Sequence, residues 1–217
     1  VSYSIGLQIG FNLGRQKVDV NPDALFSGIR DALAGKPQLN PDQVKQVMEQ
    51  FEKDMEQKQK EAADKNAAEG AKFLEENKKK PGVKTTADGL QYKVLKEGNG
   101  ATPKPTDIVT VNYRGTLIDG TEFDSSYKRG QPATFSLGGV IKGWSEGLQL
   151  MKVGSKYQFF IPSSLAYGNR AVGPDIGPNS TLIFEVELLD AKPGPTPVPP
   201  SSPQAAPPAR PTPKARQ

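Results

Sequence analysis

The sequence predicts an α+β protein: an all-helical N-terminal region and a long connecting helix, then a curved antiparallel sheet wrapped on one short helix. Three observations predict it. Up to about residue 79 apolar residues recur at helical spacing. After Pro81-Gly82 they recur at spacing two. One run around Trp144 then returns to a helical period.

Within Val1 to Gln16, Gly6, Gly10 and Gly14 fall at spacing four, with Ile5, Leu7, Ile9, Phe11 and Leu13 between them. On a helix the three glycines make one smooth face. Each costs about 1 kcal/mol against alanine, so a closely approaching neighbour is expected there, by analogy with small-xxx-small helix pairs. A frayed, glycine-rich N-terminus is the alternative.

Asn21-Pro22-Asp23 opens a second helix with a capping residue, a first-turn proline and an acid that suits the helix dipole. Leu25, Ile29 and Leu33 form its stripe and Gly35 ends it. Asn40-Pro41-Asp42-Gln43 repeats the opening, and Gln43 can close a capping box. Val44, Val47, Met48, Phe51 and Met55 continue as a stripe, after which large apolar residues stop until Phe73 and Leu74. Acid-to-base pairs at spacing four fill the gap: Asp54–Lys58, Glu56–Lys60 and Glu61–Lys65, then Glu75–Lys79 and Glu76–Lys80. This predicts one helix over 41–79, about 58 Å long. Its first part should be packed. Its second should be a solvated spacer that can bend at Gly70 and touches the sheet only near Phe73 and Leu74.

Pro81-Gly82 stops the helix. Leu90, Tyr92 and Val94 alternate, as do Val109, Val111 and Tyr113, then Tyr157, Phe159 and Ile161, then Leu182, Phe184, Val186 and Leu188. These are half-buried antiparallel strands, and Asp119-Gly120 is a hairpin signal. Trp144, Leu148 and Met151 share one face of a short helix at 144–151. β-branched Val140 and Ile141 precede it as strand or loop. Two aliphatic side chains beside an indole build an apolar floor, of a pocket or simply of a core. After Ala191 comes a segment holding half of the chain's 20 prolines. It cannot pack a core and should be disordered with polyproline II character.

Composition narrows the chemistry. The chain has 217 residues and a mean hydropathy of −0.56, with no cysteine and no histidine. Thiol chemistry, disulfides, the Ser-His-Asp triad and the commonest metal ligand are excluded. The net charge of +4 sits in the tail, on Lys192, Arg210, Lys214 and Arg216, which argues against a nucleic-acid partner. No run approaches a membrane span. The chain opens on Val1 without a charged-then-apolar leader, which reads as a trimmed form.

Three runs carry a family resemblance. They are Tyr113 to Ser126 (YRGTLIDGTEFDSS), Leu137 to Leu148 (LGGVIKGWSEGL), and Leu165-Ala166-Tyr167-Gly168 followed by Gly177 to Phe184 (GPNSTLIF). In this order, over roughly 83–191, the chain resembles the FKBP family of peptidyl-prolyl isomerases, which bind rapamycin-like macrolides. Ser2-Tyr3-Ser4-Ile5-Gly6, Asp19-Val20-Asn21-Pro22, Asn77-Lys78 and Lys80-Pro81-Gly82-Val83 are similar to the macrophage infectivity potentiator (Mip) proteins within that family.

The resemblance implies an organisation. Residues 1–50 would be a helical dimerisation domain, 51–80 the connecting helix, 81–191 the isomerase domain and 192–217 a proline-rich tail. It also implies a pocket lined by Tyr113, Phe123, Asp124, Phe135, Val140, Ile141, Trp144, Tyr167, Ile176 and Phe184. Trp144 would lie under the proline ring. The Ile141 N–H and the Tyr167 hydroxyl would hold substrate carbonyls. Asp124, the one charge at the wall, would stand near the rotating bond, with Arg129 paired to Asp124 and Tyr113. Asp124 and Tyr167 would be the catalytic pair. No metal or other cofactor is implied.

The expected activity is peptidyl-prolyl isomerisation of proline-containing polypeptides, in a bacterial homodimer of the periplasm or outer-membrane surface. A holdase chaperone or surface interaction protein that only binds is the alternative. Ala133 and Gly139 depart from the family pattern, where many members have phenylalanine and some have glutamate. The loop at 169–175 lacks a histidine found in some. These differences bear on substrate preference and macrolide affinity.

Overall fold

The computed structural model describes residues 1–15 and 18–194. Three helices come first: α1 (Ser2–Arg15), α2 (Pro22–Leu33) and α3 (Pro41–Asn77). The capping chemistry is as the sequence predicts. Asn21 accepts from the Ala24 N–H, Gly35 follows α2 at φ 66°, and Asn40 and Gln43 form both arms of a capping box. A single 37-residue helix fills the place expected for 41–79.

The acid-base pairs on α3 differ from those expected. Among the described residues Lys45–Glu49, Lys65–Glu69 and Glu75–Lys78 come within 4.0 Å. Gln50 and Gln57 take Asp54 and Glu61 as hydrogen-bond partners, so those acids do not reach the lysines expected.

The sheet has seven strands: β1 (Val83–Thr85), β2 (Gln91–Lys96), β3 (Ile108–Leu117), β4 (Glu122–Ser125), β5 (Ala133–Ser136), β6 (Lys156–Ile161) and β7 (Leu182–Lys192). All pairings are antiparallel, in the order β1-β2-β6-β7-β3-β4, with β5 also on β3. Strands β1, β4 and β5 are too short to show a clear alternation, and periodicity does not reveal them. The Asp119-Gly120 turn joins β3 to β4, with Gly120 at φ 88°. Lys192, expected to begin the tail, is the last strand residue and pairs in register with Ile108. The polyproline reading otherwise falls on 195–217, outside the described residues.

Helix α4 (Lys142–Leu148) lies across the concave face. It begins two residues before Trp144 and ends at Leu148. Met151 follows it, yet is as fully buried as Leu148. The core gathers Leu90, Val109, Val111, Leu148, Met151, Phe159, Ile161, Leu182, Val186 and Leu188, none of them exposed. These are alternating positions of β3, β6 and β7, with Leu90 just ahead of β2, Leu148 on the inner face of α4 and Met151 just after it.

The second half of α3 departs from the role expected of it, and the first half is uncovered in the single chain. Its first half carries an uncovered stripe: Val44, Val47, Met48 and Phe51 remain 38–58% exposed. Its second half is docked on the convex face of the sheet. Phe73 packs on Phe160, with ring centroids 6.0 Å apart. Gln91, buried on that face, donates to the Leu74 carbonyl at 2.9 Å and accepts from Asn77 at 3.0 Å. Gly70 is buried too. A β-carbon there would clash with the Thr181 hydroxyl, so the glycine is a point of close approach and not a bend. Higher up, Asn66 donates to the Pro178 carbonyl at 2.8 Å, and Asn179 reaches the Ala63 carbonyl at 3.4 Å. The docking seam is therefore 63, 66, 70, 73 and 77, a three-four repeat of small and amide residues around the single large Phe73.

Candidate functional site

Strands β3, β4, β5 and β7, together with α4, contribute to a cavity of about 450 Å³ on the concave face. Tyr113 comes from the middle of β3 and Phe184 from the partner strand β7, beside Gly115 in register. Phe123 and Asp124 come from β4, and Phe135 from β5. Val140 and Ile141 lead into α4, which supplies Trp144. Trp144 forms the floor and is 4% exposed. Tyr113, Phe135 and Phe184 stand on it edge-on, with ring centroids 5.1, 5.5 and 5.2 Å away and planes within a few degrees of perpendicular. Phe123 meets Phe184 in the same way at 5.5 Å. Such crossed aromatic contacts fix ring orientation better than aliphatic packing does. The indole Nε1 is buried and has no hydrogen-bond partner among the described residues.

The polar part of the wall is one small network. The Tyr113 hydroxyl donates to Asp124 Oδ2, and Arg129 Nη1 donates to Asp124 Oδ1. Arg129 Nη2 donates to the Tyr113 oxygen at 2.7 Å, and the guanidinium lies 5.4 Å from the Tyr113 ring centre. Partial burial works to raise the Asp124 pKa. The hydrogen bonds from Tyr113 and Arg129 and the guanidinium charge outweigh it, so the carboxyl stays below its ordinary range. Burial, then the bond to Asp124, pushes the Tyr113 phenol up. The site thus holds a fixed carboxylate and a fixed neutral phenol. Arg129 stands behind the carboxylate and does not line the cavity.

Ile141 caps α4. Its carbonyl accepts from the N–H groups of Trp144 and Ser145, at 3.0 and 3.1 Å. Its own N–H has no bond among the described residues. Tyr167 follows a short 3₁₀ turn, Ser163–Leu165, and its hydroxyl likewise has no partner among them. The structure therefore brings together all ten of the expected lining residues, with Arg129 one hydrogen bond behind.

It adds others. Gly139, Val172, Gly173, Pro174 and Asp175 also line the cavity. Val172 donates to the Ile176 carbonyl at 2.8 Å, closing a tight loop over Gly173-Pro174 that forms the outer rim. The Gly-Pro pair is a turn signal legible in the sequence. Asp175 makes a second carboxylate at the mouth, so Asp124 is not the one charge along the wall, as the sequence alone suggests.

Among the described residues no helix is long and apolar enough to cross a membrane. Residues 99–189 match the family described as FKBP-type peptidyl-prolyl cis-trans isomerase, and residues 1–94 match the domain amino terminal to it. The FKBP-type 22 kDa peptidyl-prolyl cis-trans isomerase of Escherichia coli K12 is 50% identical, over 87% of this chain and 93% of its own length. The outer membrane protein MIP of Legionella longbeachae is 48% identical, over 88% of this chain and 84% of its own. The crystal structure of FkpA from Escherichia coli aligns with a TM-score of 0.67 at 44% identity, covering 89% of this chain and 94% of that one.

Proposed function

The chain belongs to the FKBP-type peptidyl-prolyl cis-trans isomerases, and on that premise we propose that it turns X–Pro bonds of folding polypeptides in the aromatic cavity over Trp144. Resonance sets the X–Pro barrier at about 18–20 kcal/mol. No bond to carbon is made or broken in crossing it. What lowers it is a dry site that fits the twisted amide and disfavours the planar, charge-separated one. The observation that carries this reading is the crossed aromatic floor with the Asp124 carboxylate held in its wall by Tyr113 and Arg129.

In this reading the proline ring lies on Trp144 between Tyr113, Phe135 and Phe184. The Ile141 N–H and the Tyr167 hydroxyl, both without partners of their own, hold the flanking carbonyls. Asp124 stands near the bond that turns. Rapamycin-type macrolides would occupy the same floor. A protease-free proline isomerisation assay tests this. Acceleration at micromolar protein is expected, and none would leave the alternative in which the domain only binds, as a holdase.

Residues 1–50 are proposed as a homodimerisation domain, 51–80 as the connecting helix and 81–191 as the isomerase domain. The uncovered apolar faces support this: Phe11, Phe26 and Leu33 are 61–86% exposed in the single chain. Similarity to the outer membrane protein MIP of Legionella longbeachae supports an outer-membrane location within the proposed periplasmic or outer-membrane setting, where the clients would be exported proteins.

A further inference from the structure

We propose that α3 is a structural part of the active site, and that Asn66 and Asn179 are the positioning residues through which it braces the pocket's outer wall. This rests on the pocket reading above.

The connection is short. The Asn179 side chain donates to the Ala63 carbonyl of α3 at 3.4 Å, and its backbone N–H donates to the Gly168 carbonyl at 2.8 Å. Gly168 follows Tyr167 directly. On the other side, Asn66 donates to Pro178 at 2.8 Å and approaches Ser180 at 3.5 Å. Pro178 lies two residues after Ile176, a buried residue of the pocket wall. One turn of α3 thus touches the segment that carries Ile176 and, through one peptide, the segment that carries Tyr167.

Two further features show that this contact is built. Asn179 is the one non-glycine residue at positive φ among those described, at 56°. Asparagine tolerates that region better than most residues, and there its side chain faces α3 while its N–H faces Gly168. Gly177 is also tight. A β-carbon on it would lie 2.9 Å from the Asn66 amide nitrogen. The loop and the helix are therefore fitted to each other at side-chain resolution. The hydroxyl of Tyr167 and the wall at Ile176 depend on that fit for their position, and small errors in placing binding groups cost rate.

The test uses the full chain and three variants outside the pocket. Asn179→Gly keeps the left-handed backbone and the bond to Gly168 but removes the arm to α3. Asn66→Ala removes the bond to Pro178. Gly70→Ala pushes α3 away at Thr181, at the end of the same segment, without removing either asparagine. Steady-state rates on a short X–Pro peptide are measured well below each variant's melting temperature. Fluorescence of Trp144, the only tryptophan, follows the pocket floor. The expected result is a fall of about three- to thirtyfold in kcat/KM for all three, more through KM than kcat, with a shifted Trp144 spectrum. If α3 only stabilises, melting temperatures drop while kcat and KM stay at wild-type values, which would overturn the proposal. A wild-type chain without turnover would sink the pocket reading instead, and the two failures are told apart by that single control.

Discussion

The hydroxyl of Tyr113 donates its hydrogen bond to Asp124, so the one carboxylate of the inner wall is tied to the rim of the aromatic floor. The pair is shared with Arg129, and the Asp124 and Arg129 side chains are 41% and 44% exposed. Ion pairs that open to water add little to stability. Asp124→Leu should therefore leave the fold intact while kcat/KM falls by about ten- to a hundredfold, the scale of a hydrogen bond to a charged group. Tyr167→Phe, which removes only a hydroxyl, should cost about fivefold. Both are read in the isomerisation assay beside a circular dichroism melt, and wild-type turnover in both folded variants would refute the two roles.

The pH profile should be unusually flat. The Asp124 pKa is depressed, so its contribution is present above the ordinary aspartate value near 4 and is lost only as pH falls through the lower folded value. The Tyr113 pKa is raised, so its contribution holds below about 10 and is lost as pH rises through the higher folded value. With no histidine in the chain, no side chain of the pocket titrates near neutrality. A constant kcat/KM from about pH 5 to 9 is expected. A bell centred near neutrality would contradict it.

Light scattering at tens of micromolar should give twice the 23.4 kDa chain mass. Gly10 has nothing within 4 Å in the single chain, so Gly10→Leu meets no internal obstacle. Its helix propensity also improves by roughly 1 kcal/mol. Any loss of mass in that variant must then come from a blocked partner. A monomeric wild type would remove the dimer from the proposal.

Gly115→Ala should narrow the pocket from behind. A methyl group there would lie 2.7 Å from the Phe123 ring and 2.8 Å from that of Phe184. Overpacking of this kind costs about 1–3 kcal/mol. Denaturant unfolding should register that loss, and peptide turnover should fall with it because two wall rings have to move. Unchanged stability and turnover would mean that the walls give way freely.

The sequence discloses the pocket more fully than it discloses what stands behind it. The floor and walls are large aromatic residues on alternating strand positions, where both type and period signal burial. Asn21 and Asn40 cap as their neighbours predict, because capping is local. The docking of α3 is expected near Phe73 and Leu74, but its extent escapes notice because the seam is Ala63, Asn66, Gly70, Phe73 and Asn77. Only one of those is a large apolar residue, and hydropathy is blind to the rest. Two signals were available on the sheet side. Phe160 breaks the alternation beside Phe159, and Gln91 sits next to buried Leu90. Each puts a residue worth covering on the face turned away from the core. The rim loop at 172–176 is legible only as a Gly-Pro turn, since its place over the cavity is set by a long-range fold.

The docked seam also has a mechanical consequence. Helix α3 is continuous from Pro41 and is seized by the sheet from Ala63 onward. That leaves roughly 33 Å of free helix at 1.5 Å per residue. The pocket cannot swivel on a slack joint at Pro81-Gly82. Any change in its bearing relative to the start of α3 has to be flexure of an intact helix between residues 41 and 62, which acts as a stiff cantilever. A polypeptide gripped at the far end would then be offered to the cavity along a narrow arc, and would feel a restoring force when it pulled away.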